Sequence, residues 1–259
     1  MTARRSRRAW PWLLVLFLLS WLVSAFLTLP LASVAPHVDL PEGVTLESPR
    51  GTVWDGQVIL RWQNRPPVEV TLRFRPASLL RLALAWQVSA RSTGVTGQAQ
   101  LRLPLTRALG SHLELSDATL EASMGSPWVE ELASSLPMMG RMRLTMQEWH
   151  FLPQLEHGLW RLDWSNAGFR LSDDIAFGSV TGQGKITEGR IEGTIQSSHD
   201  NSPSTPRLDL RIRQATEGSL LLEGEIDPRG DQNLQKALTL VGRPTTNGKI
   251  SIRQVIAIR

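Results

Sequence analysis

Apolar and polar residues alternate along most of this chain after residue 44. The alternation is clearest in five stretches, which are residues 68–75, 82–90, 95–103, 207–213 and 250–258. A period of two predicts β-strands that have one covered face and one face in water. Because the link from Arg91 to Gly94 is short and turn-like, Leu82–Ala90 and Val95–Leu103 are predicted to form a hairpin.

Glycines separate these stretches, and the whole pattern is typical of an all-β chain. The glycine-bounded runs recur at irregular spacing, which argues against a propeller or a solenoid. We therefore predict a long antiparallel β meander of about a dozen strands. The pattern leaves open whether the meander forms a curved sheet, a sandwich or an open barrel.

Two short segments have helical spacing instead. Ser126 has the character of an N-cap and Pro127 that of a first helical residue, and this helix is predicted to end near Leu136–Pro137. The second helix is predicted within Asp231–Val241, where the following glycine stops it. Each of the two short helices is expected to cover a sheet edge or a barrel end.

The first thirty residues have a different pattern. Residues 9–29 contain no charged side chain, and roughly 20 apolar helical residues cross a bilayer core. Four arginines precede them, and by the positive-inside rule these hold the N-terminus in the cytoplasm: Arg4, Arg5, Arg7 and Arg8. The predicted organisation is a cytoplasmic basic arm (1–8), a transmembrane anchor (9–29), a periplasmic linker (30–43) and a periplasmic β domain (44–259).

A cleaved signal peptide is the alternative to the anchor. Ser33-Val34-Ala35 resembles a small-residue cleavage site, but Pro36 follows it directly. The uncharged run is also longer than the roughly 7–15 residues of a signal-peptide core. We therefore favour an anchor that remains attached, and both interpretations export residues 37–259.

The charge distribution argues against a nucleic-acid partner in spite of a sequence pI of about 10.5. The chain has 28 lysines and arginines and 24 acidic residues, and four of the arginines lie in the N-terminal arm. The exported part is therefore neutral. A nucleic-acid-binding domain would carry a basic stripe of its own, so we predict none.

No residue pattern predicts catalysis or a bound cofactor. The absence of cysteine excludes thiolate zinc sites, iron–sulfur clusters and a cysteine nucleophile. Gly178–Gly182 has its serine one residue too early for a nucleophile elbow. Glu148, His150 and His157 resemble a two-histidine, one-carboxylate metal site, but surface residues beside a hairpin are the simpler interpretation. We predict no enzyme, no cofactor and no metal.

Three apolar residues form a candidate interaction face. Trp160, Leu162 and Trp164 share one side of a predicted strand. Core packing is the ordinary role of such tryptophans, because each buries roughly 150–250 Å². The functional alternative is a hydrophobic surface that binds a partner.

A glycine-containing motif follows the predicted linker, at residues 47–56. It matches the signature G-T-[LV]-W-x-G at Gly51, Thr52, Val53, Trp54 and Gly56. Through this motif the chain resembles the type II secretion system protein N family. Shorter matches lie at residues 136–144, 158–167 and 240–250, so the resemblance spans essentially the full length. The two glycines are expected to permit a tight strand corner, with the tryptophan capping the first sheet layer.

The resemblance implies a single-pass protein of the bacterial inner membrane, with a cytoplasmic N-terminus and a periplasmic C-terminal domain. It implies a component that supports export of folded proteins across the outer membrane through contacts with other type II secretion components, and it supplies no catalytic residues. AsmA-type envelope proteins use similar glycine–tryptophan corners. The alternative is therefore a protein of that kind, which binds or carries lipid on an apolar β-groove.

Overall fold

The computed structural model describes most of the chain and begins with helices. The described residues are 10–37, 40, 43–62, 65–105, 113–130, 138–152, 154–170, 174–197, 205–216, 219–239 and 242–257. Helix α1 is Trp10–Leu27, and α2 is Leu31–Val34, which continues into a 3-10 turn at Ala35–His37. The basic arm lies outside the described residues. Within the described part, none of the helices combines the length and the hydropathy that a bilayer crossing requires, so the transmembrane anchor stays a prediction.

Fourteen strands make up the rest of the described chain, together with a 3-10 helix at Pro76–Arg81 and two short α-helices, α3 (Pro127–Glu130) and α4 (Gln232–Leu238). The strands are β1 Val44–Gly51, β2 Asp55–Trp62, β3 Val68–Phe74, β4 Ala83–Ser92, β5 Val95–Pro104, β6 Leu113–Ser123, β7 Met138–Leu152, β8 Gln154–Arg170, β9 Asp174–Thr187, β10 Arg190–Ser197, β11 Arg207–Thr216, β12 Ser219–Asp227, β13 Gly242–Pro244 and β14 Ile250–Ala257.

All fourteen strands belong to one antiparallel sheet. Each strand from β1 to β11 pairs with the next one along the chain, and the sheet then continues from β12 through β14 to β13. The predicted hairpin is confirmed as β4 and β5, which pair from Ala83 opposite Pro104 to Ser92 opposite Val95. The predicted all-β antiparallel meander is thus confirmed. Because β1 and β13 are unpaired edges in the described sheet, the form is a single open sheet.

Cross-strand register places an apolar row and a polar row on opposite faces of the sheet. The apolar row crosses twelve strands through Val58, Val70, Ala90, Gly97, Leu120, Leu144, Leu162, Gly182, Ile195, Leu210, Gly224 and Ile252. The polar row uses the adjacent residue of each strand: Gln57, Thr71, Ser89, Gln98, Thr119, Thr145, Arg161, Gln183, Thr194, Arg211, Glu223 and Arg253. Register is therefore specified by burial, since a slip by one residue would exchange the two faces.

The two short helices cover the apolar face at one end of the strands. Leu234 and Leu238 of α4 are buried against a cluster that includes Phe177, Ile226 and Ile250. The carboxylate of Asp231 caps this helix by accepting a hydrogen bond from the Leu234 N–H at 3.0 Å. Both predicted short helices are present, but they pack on the apolar face of the sheet instead of covering an edge or a barrel end. The predicted end of the first, at residues 136–137, lies outside the described residues.

The core is larger on the C-terminal side of the sheet than on the N-terminal side. Around α3, Val129 packs with Ala122 and Met124 in a small cluster. The α4 cluster joins ten buried residues from β8 to β14 and α4. Trp164 packs against both clusters and so connects them. Most of the described apolar stabilisation is therefore concentrated in the last seven strands.

Candidate functional site

The signature residues form a tight corner between β1 and β2. Gly51 has a φ of +80°, and a Cβ placed on it would collide with the carbonyl oxygen of Asp55. A Cβ on Gly56 would lie 2.5 Å from the carbonyl oxygen of Thr52. Both positions therefore require glycine, for conformation at the first and for close backbone approach at both. We call residues 51–56 the signature corner.

Hydrogen bonds inside the signature corner fix its shape. The Thr52 N–H donates to the Asp55 carbonyl at 3.0 Å. The Thr52 hydroxyl oxygen accepts from the N–H groups of Trp54 (3.3 Å) and Asp55 (3.1 Å). A threonine side chain that satisfies local backbone donors in this way stabilises a turn. This explains why the signature contains a hydroxyl residue between its glycine and its tryptophan.

The end of helix α1 docks on the signature corner. The indole N–H of Trp54 donates to the Phe26 carbonyl at 2.7 Å, and the Val53 N–H donates to the Leu29 carbonyl at 3.1 Å. Pro30 forms an isolated antiparallel bridge with Thr52. The sheet domain thus donates to one carbonyl in the last turn of α1, that of Phe26, and to one just beyond the helix, that of Leu29.

An aromatic cluster reinforces this junction. The Trp54 ring packs on Phe26 at 4.6 Å between centroids, on Phe74 at 4.8 Å and on Trp86 at 6.1 Å. The Trp86 indole N–H donates to the Val53 carbonyl at 3.0 Å. Such aromatic pairs contribute about 0.5–1.5 kcal/mol each beyond the area that they bury. We call the signature corner together with this cluster the helix joint.

The candidate interaction face lies in the middle of the apolar side of the sheet. Trp160, Leu162 and Trp164 are all half-buried. A Cβ on Gly184 or on Gly193 would collide with the ring of Trp160, so this ring lies flat across two neighbouring strands. Its indole N–H is buried and has no hydrogen-bond partner among the described residues. The Trp164 indole N–H, by contrast, donates to the Met139 carbonyl at 2.8 Å.

Comparison with known proteins gives one match. A family model described as type II secretion system (T2SS), protein N matches residues 42–253, which is most of the chain and includes the signature corner. The chain belongs to the type II secretion system protein N family. No curated protein and no solved structure matches it. The resemblance inferred from the sequence is confirmed.

The family match includes the part of the helix joint that lies in the sheet domain. The match begins at residue 42, so the signature corner lies inside it and the docked helix α1 lies outside it. The matched region of this chain therefore contains Trp54 and the rest of the signature corner, on which α1 docks. Sequence reasoning found the corner but missed Phe26 and Leu29, because a backbone carbonyl that accepts a hydrogen bond leaves no mark in an apolar segment.

The glycines under Trp160 were also missed by sequence reasoning in this protein N chain. Gly182 and Gly184 fall in the apolar positions of β9, and Gly193 lies opposite Gly184 in β10. A glycine inside a strand often marks close approach of another group, and that signal was available. It could not name Trp160 as the group, because the cross-strand register is set by the fold.

A polar groove lies on the opposite face of the sheet. It has a volume of about 840 Å³, and its charged lining residues are Arg161, Lys185, Glu192, Arg211, Arg213 and Glu223. Arg213 pairs with Glu223 at 3.2 Å, and Arg161 pairs with Asp163 at 3.3 Å. The groove therefore offers charge and hydrogen bonds next to the exposed side chain of Leu159.

The residues considered for a metal site are not assembled as one in the described part of this protein N chain. His150 lies opposite His157 in the β7–β8 pairing, and Glu148 sits at a β-bulge with a φ of +55°. Within the described ranges, no group of three histidine or acidic side chains lies close enough to hold a metal ion. Gly178–Lys185 lies inside strand β9, whereas a phosphate-binding loop would precede a helix.

Proposed function

We propose that this chain is an inner-membrane-anchored periplasmic component of the type II secretion pathway. Residues 9–29 hold it in the membrane, with Arg4, Arg5, Arg7 and Arg8 on the cytoplasmic side. The β domain, residues 44–259, lies in the periplasm. There it supports export of folded proteins across the outer membrane through contacts with other secretion components and without catalysis.

The match of residues 42–253 to the protein N family is the observation that carries this proposal. Two features of the molecule support it. The apolar side chains of α1 are exposed from Trp12 to Leu27, which suits a hydrocarbon environment. The helix joint fixes the start of the sheet to the end of this helix, so an anchor there would also orient the domain.

The first experiment compares a strain lacking the gene with its parent. We expect folded exoenzymes to accumulate in the periplasm and to disappear from the medium, and re-expression of the chain to restore them. Unchanged secretion would contradict the proposed pathway. The mass of the N-terminal peptide of the mature protein separates the anchor from a cleaved signal peptide, because cleavage would remove residues 9–29.

A second candidate function is lipid binding on the apolar face. The observation that favours it is the apolar row across twelve strands, which has the aromatic cluster of the helix joint at its N-terminal side and reaches α1 there. A lipid acyl chain beside α1 would meet a continuous apolar surface. The partners would then include membrane lipid in addition to protein.

Two neighbouring residues provide a matched test of this candidate. Leu144 belongs to the apolar row and Thr145 to the polar row. In vesicles that contain a phospholipid with a photoreactive acyl chain, lipid binding predicts crosslinks to the native chain and to Thr145→Lys, with few to Leu144→Lys. Equal labelling of both variants, or no labelling of the native chain beyond α1, would reject this candidate.

A further inference from the structure

The final strand of the chain is only partly covered on its outer side. Strand β14 pairs with β12 along its length, from Ser219 opposite Ala257 to Ile226 opposite Ile250. Its outer neighbour β13 has three residues and reaches only from Ile250 to Ile252. No described strand pairs with the outer side of residues 253–257. We call this five-residue stretch the open edge.

Hydrogen-bond alternation identifies which groups of the open edge face outward. The Thr245 N–H donates to the Lys249 carbonyl at 2.8 Å, so Lys249 points its backbone groups toward β13. In an antiparallel ladder, every second residue directs its backbone N–H and C=O groups to the same side of the strand. Arg253, Val255 and Ala257 therefore direct their N–H and C=O groups outward, while Gln254 directs its groups toward β12.

The side chains beside these groups have a distinctive character. Val255 is 62% exposed, although it lies in a sheet whose apolar side chains are mostly covered. Arg243 of β13 and Arg253 are exposed on the same face, and neither has an ion-pair partner among the described residues. The acidic residues on the neighbouring strand already form ion pairs, since Glu223 pairs with Arg213 and Glu225 pairs with Lys249.

We propose that the open edge of β14 binds an extended, acidic segment of a partner protein as an additional strand. Strand addition uses main-chain hydrogen bonds for affinity and alternate side chains for specificity. The outward groups of Arg253, Val255 and Ala257 supply the hydrogen bonds. The two unpaired arginines select carboxylates on one face of the incoming strand, and Val255 extends that face beyond Arg253.

A second copy of this chain fits the open edge less well. Two copies of β14 would pair over only five residues, whereas a stable dimer buries about 800 Å² on each partner. Such a pair would also bring four arginines, Arg243 and Arg253 of each copy, to one seam without an acid to compensate them. An acidic segment from another protein removes that repulsion.

This inference rests on the proposed function only in that the partner would be a secretion component. Its test uses the full chain in detergent and two blocked peptides, one that alternates valine with glutamate and one that alternates valine with lysine. We expect the glutamate peptide to bind about tenfold more tightly at low salt, with the difference shrinking as salt rises. Secretion in the deletion strain tests the proposed function separately.

Three variants assign the binding to the edge. Val255→Pro removes an outward N–H and should abolish binding of both peptides. Arg253→Glu should weaken binding of the glutamate peptide and strengthen binding of the lysine peptide, each by about tenfold in affinity. Arg190→Glu is the matched control, because Arg190 is an exposed arginine at the start of β10. This variant should leave the binding of both peptides unchanged. In hydrogen exchange, the bound peptide should slow the amides of residues 253, 255 and 257 selectively.

Two results would overturn the proposal. The first is the absence of binding, or peptide binding that Val255→Pro leaves unchanged, since the edge backbone would then have no part in it. The second is a dimer of the full chain that Val255→Pro dissociates, because the edge would then be occupied by a second copy. Sedimentation of the native chain and of this variant distinguishes the second result.

Discussion

The two ends of the sheet are finished in different ways. At the first corner, the chain satisfies its own turn with Thr52 and receives the end of α1 on Trp54. At the last strand, the outward backbone groups of residues 253–257 have no described strand opposite them. The signature corner is thus joined to α1 by the chain itself, although β1 remains an edge of the sheet. The difference between the two ends separates an internal joint from an edge that we propose as a surface for association.

The largest effect is expected at the signature corner, from Gly51→Val. The substitution places a branched side chain at a φ of +80° and drives its Cβ into the Asp55 carbonyl. Strain and collision together should destabilise the full chain by about 3–4 kcal/mol. Denaturant unfolding followed by near-UV circular dichroism measures this.

Gly125→Val is the control for that substitution. No atom lies within 4 Å of the position that a Cβ on Gly125 would occupy, so the expected change is under about 0.5 kcal/mol. Equal losses in the two variants would mean that the signature corner does not need its glycine.

A pair of proline substitutions examines the open edge. Gln254→Pro removes an N–H that faces β12 and leaves its acceptor unpaired, which should cost about 1–3 kcal/mol. Val255→Pro removes one that faces outward and should cost less than about 1 kcal/mol, because proline is tolerated on sheet edges. Thermal unfolding of both variants measures the difference. A large loss for Val255→Pro would show that something already covers this edge.

A smaller change tests the indole hydrogen bond of the helix joint. Trp54→Phe keeps an aromatic ring near Phe26 and Phe74 and deletes the indole donor to the Phe26 carbonyl. The loss should be about 1 kcal/mol, the usual net contribution of one hydrogen bond. Spin labels on α1 and β2 should report a broader distance distribution in this variant. An unchanged distribution would mean that the indole hydrogen bond does not hold the helix.

The smallest effect is expected from an exposed ion pair beside the open edge. Lys249 donates to Glu225 at 2.9 Å, and this hydrogen bond and the charge of Glu225 raise the pKa of the lysine above its ordinary value. The pair therefore contributes at pH values below the ordinary lysine pKa of 10.5. Its contribution is lost as the pH rises through the raised value. Exposed pairs contribute little, so Glu225→Gln should change stability only slightly at neutral pH.

Glu223→Gln is the matched control for this pH dependence. Glu223 pairs with Arg213, and arginine, unlike lysine, is not deprotonated in proteins. The stability difference between native and variant should therefore vanish at high pH for Glu225→Gln and persist for Glu223→Gln. The same pH profile for both variants would contradict the assignment of the effect to Lys249.

Sequence reasoning predicted local structure well and long-range contacts poorly. Alternation identified the β4–β5 hairpin, and the serine–proline pair identified α3, because strand period and capping chemistry are local properties. The swap of β13 and β14 could not be foreseen, since nothing local decides which strand β12 pairs with. The docking of α1 and the glycines beneath Trp160 were missed for the same reason. The partner-binding role predicted for Trp160, Leu162 and Trp164 stays a prediction.

Because β14 lies between β12 and β13, the C-terminal side of the sheet can be completed only after β14 has formed. Twelve strands can pair one after another as the chain emerges from a ribosome or a membrane channel, since each needs only its predecessor. Strand β13 cannot join until β14 has been delivered, because β14 lies between it and β12. Ile250, fully buried in the α4 cluster, arrives with that last strand. Without residues 250–257, β13 and the outer side of β12 would therefore both lack their partner strand, and the α4 cluster would lack Ile250.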